Sequence, residues 1–251
     1  MQTLSRRSIV AGVALALGLT APWIEAQTVD EVVARHLEAR GGVEKIRALN
    51  TIRMSGTISF GPGDPAPFAL EMKRPNLMRT EFTSQGMVGV QAFDGQKAWA
   101  VLPMAGKTEP EYLPAEVARE AAEQADIDGP LVDAAAKGHK VEVLGREKVE
   151  GRDCFKLMVT FKNGGVRHPY IDATSFLEVK AEGRRTAGGD EVLLETYYRD
   201  YREIGGLQIP HRIEAGPAKR PEKQTILIQR VEVNIPLADS RFALPAAARK
   251  P

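Results

Sequence analysis

Apolar residues first recur at helical spacing. From Val29 the run Val32, Val33, His36 and Leu37 lines one face, Gly41-Gly42 interrupts it, and Val43, Ile46 and Leu49 resume it to Asn50. The period then drops to two. Ile52, Met54, Ile58 and Phe60 alternate with Arg53, Ser55, Thr57 and Ser59, and Phe68, Leu70 and Met72 repeat the pattern against Glu71 and Lys73, which gives each strand one apolar and one wet face. Gly61-Pro62-Gly63-Asp64-Pro65 folds the second strand back on the first. Strands follow at 77–83, 87–93 and 97–102, with Asp94-Gly95 as the turn between the last two.

Residues 114–125, dense in Ala and Glu after Pro114, read as a helix, and 131–136 as a short second turn before Gly138. Seven more strands follow at 140–144, 153–161, 166–171, 177–182, 191–202, 207–214 and 223–234. Asn163-Gly164-Gly165, Gly188-Gly189-Asp190, Gly205-Gly206 and Gly216-Pro217 serve as breakers. Tight connections without crossover helices mean an antiparallel meander. The expectation is a mainly β (α+β) domain: one strongly curved antiparallel sheet, an incomplete β-barrel of about 11 strands, because so wide a sheet curls. The helices would pack in its concave face and leave a partly covered apolar trough.

The N-terminus changes the picture. Arg6 and Arg7 precede an uncharged run from Ile9, and Ala26 offers a cleavage point, the layout of an export signal. The apolar stretch 9–24 is shorter than the roughly 20 residues of a membrane-crossing helix. Residues 1–26 are therefore read as a signal peptide and 27–251 as a single domain in the periplasm. Ser5-Arg6-Arg7-Ser8-Ile9 resembles a twin-arginine signal but also serves the general secretory route, so the route stays open.

The only cysteine, Cys154, lies far from the signal, so it neither takes a lipid at a processed N-terminus nor forms an internal disulfide. Without Arg6, Arg7 and Glu25 the remaining acidic and basic residues balance. No basic stripe is left for a phosphate backbone, which argues against nucleic acid as a partner.

Three stretches carry a resemblance: Arg40-Gly41-Gly42-Val43-Glu44-Lys45-Ile46, Phe93-Asp94-Gly95-Gln96-Lys97-Ala98-Trp99, and the run 198–210 from Tyr198 to Pro210. The ending Val233-Asn234-Ile235-Pro236-Leu237, with Phe242 and Pro245, fits as well. The mature chain resembles the superfamily of LolA- and LolB-like lipoprotein-localisation proteins. That resemblance implies an incomplete antiparallel barrel with helices as a lid, whose best-known members hold acyl chains in the apolar interior.

Acyl chains are bound by area, so the lining would be aliphatic and pliable. Ile52, Met54, Ile58, Phe60, Phe68, Leu70, Met72 and Trp99 are the candidates, and the same residues would equally serve as a closed core. His36, His139, His168 and His211 show no ligand spacing, so neither a metal nor a cofactor is expected. Ser175, His168 and Asp172 hold hydrolase chemistry without a G-x-S-x-G elbow, and no catalytic residue is assigned. Arg184-Arg185 and Lys219, Arg220 and Lys223 are expected in hairpin loops, where their charge suits transient contact with anionic lipid headgroups.

The reading is a non-enzymatic, monomeric periplasmic carrier or binding protein for a lipid, an acyl chain or a lipoprotein, of use in outer-membrane lipoprotein sorting. The alternative is an envelope sensor or scaffold domain that binds another envelope protein and holds no lipid.

Overall fold

A computed structural model describes residues 27–61, 65–187 and 190–245. The predicted export segment and the tip of the first hairpin lie outside these residues. The described chain forms one antiparallel sheet of 13 strands, not the expected 11 or so. In chain order the strands are β1 (Thr51–Phe60), β2 (Ala66–Lys73), β3 (Leu77–Ser84), β4 (Met87–Phe93), β5 (Ala98–Leu102), β6 (Lys107–Tyr112), β7 (Lys140–Val149), β8 (Arg152–Thr160), β9 (Val166–Asp172), β10 (Glu178–Ala187), β11 (Asp190–Ile204), β12 (Leu207–Pro217) and β13 (Gln224–Val233).

The strand that pattern reading misses is β6, Lys-Thr-Glu-Pro-Glu-Tyr, which has no apolar alternation because it is an edge. Its charges and Pro110 suit an unpaired rim.

The sheet is two meanders. Its order is β6-β5-β4-β3-β2-β1-β13-β12-β11-β10-β9-β8-β7, so the first strand pairs with the last at the centre. Ile52 faces Val233 and Ile58 faces Ile226 across this seam. A bulge at β13 brings the Leu227 carbonyl oxygen to within 1.9 Å of where a Cβ on Gly56 would sit, so that position admits only glycine.

Cross-strand pairing fixes which residues share a face. Ile52, Met72, Met78, Phe93 and Ala98 run across β1 to β5 on the inner face, and Phe155, Leu157, Val159 and Ile171 lie on β8 and β9. All belong to one core cluster together with Val32, Ile46, Ala121 and Ala125 of the helical segments. Since β4 and β8 are nine places apart in the order, a flat sheet would hold them roughly 43 Å apart at about 4.8 Å per strand. One thin helical layer touches both only because the sheet curls. The molecule is mainly β and open-barrel-like, with edges β6 and β7 not paired to each other.

The helices differ from expectation in placement. The opening element is two helices, α1 (Val29–Ala39) and α2 (Val43–Arg47), and together they close one end of the barrel instead of lying along its concave face. A capping box between Thr28 and Glu31 starts α1. Gly41 is docked on the β11–β12 turn, where a Cβ would fall 2.1 Å from the Gly206 carbonyl oxygen, and Gln208 N donates to Arg40 O. Arg74, in the β2–β3 turn, donates to Leu49 O and Ile46 O and pairs with Asp128.

The third helix, α3 (Ala115–Gln124), belongs to the crossover from one sheet edge, β6, to the other, β7. It packs on β3, β4 and β5. On its other side Glu120 accepts from Arg185 of β10 and Glu123 accepts from Asn163 of the β8–β9 turn. It therefore spans the interior from wall to wall.

The C-terminal segment straps the outer face. Thr51 Oγ1 donates to Ile235 O and Lys73 Nζ to Leu237 O, while Trp99 Nε1 donates to Phe242 O at 2.7 Å. Arg241 grips the buried Glu71 carboxylate through two 2.8 Å bonds. Phe242 is fully buried beneath this strap.

Candidate functional site

The closed end of the barrel is where β1 begins and the helices dock; the opposite end is where β1 finishes. Along the inner face the predicted lining residues grade from one to the other. Ile52 and Met72 are buried among the helical residues, and Met54 and Leu70 pack against that cluster while only partly buried. Ile58 and Phe68 are buried but stand outside the helix-packed cluster. Phe60, at the open end, is 50% exposed and sits edge-on to Phe82, with ring centroids 6.2 Å apart.

Trp99 does not join them. Its register partner is Ala92 on the outer face, and it packs with Ala92 and Leu244 under the C-terminal strap.

Pattern reading omitted three inner-face residues that the register adds to this strip. Phe82 lies opposite Phe68, while Ile226 and Ile213 continue the row from Ile58 across the seam. Phe82 follows from the register of the neighbouring hairpins, whereas only the β1–β13 pairing shows that Ile226 and Ile213 continue β1's row.

The wall of β9, β10 and β11 carries a different chemistry. Arg167 Nη2 donates to Glu178 Oε1 at 2.8 Å and to Tyr198 Oη at 3.0 Å, and Tyr201 Oη donates to Glu178 O at 2.8 Å. Burial works against the charge on Arg167, but Glu178 and Tyr198 outweigh it and hold the guanidinium above its ordinary pKa. Burial likewise pushes the phenols of Tyr198 and Tyr201 up, so both stay protonated. His36 of α1 donates from Nδ1 to Phe176 O at 2.9 Å, the role a neutral ring takes against a carbonyl. Burial, with Arg40 second, lowers it to about 4. Arg185 bridges to Glu120, and the Gln124 amide, turned with its oxygen toward Arg185, accepts at 2.6 and 3.2 Å.

The remaining sequence candidates fall elsewhere. His139, His168 and His211 each bond a separate backbone group, and among the described residues no group of three His, Cys, Asp or Glu is placed to hold a metal ion. Ser175 Oγ donates to Asp172 Oδ1 as part of the turn that Asp172 caps, while His168 Nδ1 faces Leu157 O, so the three form no relay. Asp94 Oδ1 accepts from the backbone of Gln96 and Lys97, a turn role. Arg184 and Arg185, expected in a hairpin loop, lie within β10 instead and pair with Glu191 and Glu120, while Lys223 pairs with Glu195 and Lys219 and Arg220 are exposed. Tyr197 lies on the outer face beneath Lys180, Arg199 and Lys223, beside a shallow depression of about 310 Å³ whose charges are mutually paired.

No family model matches the sequence, and no curated protein matches it. Solved structures do. A LolA superfamily protein from Nitrosomonas europaea superposes with a TM-score of 0.55 at 16% identity, over 87% of this chain and 98% of that one. The chain has the LolA fold. An outer-membrane lipoprotein-sorting protein domain from Vibrio parahaemolyticus shares this LolA-like architecture with a TM-score of 0.55 at 13% identity, over 84% of this chain and 97% of that one. A DUF1329 family protein from Desulfovibrio piger matches at 0.59 and 13% identity, over 90% and 100%.

Proposed function

We propose that the protein is a periplasmic carrier for an acyl-chain ligand, a lipid or an acylated protein, and that it acts without catalysis, as a monomer. The observation that carries this is the inner-face strip Met54, Leu70, Phe82, Ile213 and Ile226, apolar and only half-buried, running to an exposed Phe60 at the open end. A closed core would bury such residues; a receiving surface leaves them part-wetted. The LolA-like fold and the export layout of residues 1–26 support the same reading, and the lipoprotein-sorting domain that shares the fold suggests the class of cargo. Trp99 is left out of the proposed lining and Phe82, Ile213 and Ile226 are added.

Each methylene removed from water contributes about 0.8 kcal/mol, so roughly 12 of them give about 10 kcal/mol. Association takes back at least about 4, which leaves an affinity of tens of micromolar. The test is an organic extract of the gently purified protein examined by mass spectrometry, together with titration of a fluorescent acyl probe. Stoichiometric lipid, or saturable probe uptake by the delipidated protein, is the expected result. A protein that releases no lipid and takes up no probe would instead be a closed scaffold.

A further inference from the structure

We propose that Arg167 and Tyr198 form an internal recognition site for a singly charged oxyanion at the head of an acyl chain, an inference that rests on the carrier reading above. The guanidinium is only partly used. Nη2 serves Glu178 and Tyr198, whereas Nε is buried without a partner and Nη1 makes no hydrogen bond among the described residues. A buried N–H that finds no acceptor is costly, so such a group in a well-formed site points to an acceptor that arrives from outside.

The surroundings leave room for one. Arg167 is not sealed in: 30% of its side-chain surface is accessible, although its Nε is buried. Across the ladder from Arg167 stands Gly183, where a Cβ would meet nothing closer than Val166 O at 3.8 Å. Beyond Gly183 in its own row stands Leu194, and the neighbouring inner-face row is Ala181, Thr196 and Ala215, all small. A row of small side chains, flanked by Leu194, therefore lies one step from the guanidinium, and the row after it runs Tyr198, Ile213 and Ile226 into the apolar strip.

The local donors favour an anion. The groups that cross the interior, Arg40, Arg74, Arg167 and Arg185 against Asp128, Glu178, Glu120 and Glu123, balance in number. Arg40 donates to the Asp128 carbonyl oxygen and Glu123 accepts from the Asn163 amide, so the unused donors of Arg167 rather than a net charge mark the site. His36, neutral above its lowered pKa, adds nothing at physiological pH. Tyr198 accepts from Arg167 and so keeps its own O–H free to donate. A fork with open donors and one hydroxyl suits a carboxylate or a phosphodiester.

The test compares heads on matched tails. Palmitate is set against hexadecanol, and lysophosphatidylglycerol against lysophosphatidylcholine, as displacers of a fluorescent acyl probe from the delipidated protein. The expected result is that at least one charged ligand displaces tenfold or more better than its uncharged or zwitterionic counterpart, and the stronger of the two names the head group. Arg167→Met should bring that ratio to within about twofold while hexadecanol displacement stays as in wild type, and Tyr198→Phe should lower it severalfold. Should Arg167→Met fail to fold, the wild-type ratios and Tyr198→Phe decide. Equal displacement by charged and neutral partners, or a preference that survives in folded Arg167→Met, overturns the site and leaves the carrier reading standing. Absence of probe uptake overturns both.

Discussion

The outer-face strap offers a stability test with an unusual order of effects. Glu71 is 1% exposed and is held by Arg241 through two bonds and by Arg53 at 2.7 Å, whereas both arginines are 37% exposed. Removing an arginine and removing the carboxylate are therefore not equivalent. Arg241→Met strips two charge-assisted bonds, each worth about 1.5 to 3 kcal/mol, from a carboxylate that water cannot reach. Arg53 remains and offsets part of this, so a loss of about 3 kcal/mol is expected, a large share of a total of roughly 5 to 15. Glu71→Gln removes the buried charge itself. The arginines it abandons are wet enough to rehydrate, so the cost should be about 1 to 2 kcal/mol. The double variant should resemble Glu71→Gln, because without the carboxylate Arg241 has little left to hold. Urea denaturation of the three variants measures all of this, with unchanged m-values as the check that only the native state moved. If Glu71→Gln proves more damaging than Arg241→Met, the strap is not secured by a buried charge and its contribution lies in Phe242 and Trp99 instead.

Other outcomes are equally concrete. In Ile58→Glu the carboxylate points into the proposed trough, so acyl-probe binding should be lost while a cooperative melt is retained; a chain unfolded at 25 °C would show that this face is closed core. Folded His36 stays neutral down to about 4, whereas the unfolded imidazole takes its proton near 6.5, so stability falls as pH drops through that window, by roughly 3 kcal/mol at its foot. His36→Asn, which keeps a donor for Phe176 O, should flatten this slope in melts between pH 7 and 4, and an identical slope would remove His36 as its source. In Gly41→Ala a methyl meets the Gly206 carbonyl at a φ of +117°, and a loss of about 2 to 4 kcal/mol in urea, with release of α1, is expected. A neutral effect would mean that the corner shifts freely.

The strands with clean alternation were legible in the chain itself: 52–60 and 68–72 announce both their type and their inward face, and Asp94-Gly95 announces its turn. Edge β6 was not, because an unpaired rim selects charge and proline rather than apolar alternation. Strand order was not either. Hairpin logic pairs neighbours in sequence, while the β1–β13 seam joins residues about as far apart as the chain allows. The candidate site followed the same division. Its apolar half could be read from Met54 and Leu70, but Trp99 was misplaced by assigning it to a lining without a register. The adjacent tyrosines on β11 point to opposite faces, Tyr197 outward to cations and Tyr198 inward to Arg167, which fits period two. Nothing local marks Arg167 as interior, since Val166-Arg167-His168-Pro169 reads as a solvated strand start until Gly183 is placed beside it.

The central seam also fixes the order in which the protein can be completed. Strands β2 to β6 can pair as soon as they leave the ribosome, yet β1 keeps one edge bare until Gln224–Val233 has been made. During synthesis the unfinished molecule therefore exposes a long β-edge bearing Ile52, Met54 and Ile58, the kind of template that recruits other chains. Any factor that escorts the nascent chain would gain most by covering that edge. A product that stops short of residue 224 is not a barrel missing its rim but two half-sheets whose hydrogen-bonded ladder is broken at its centre.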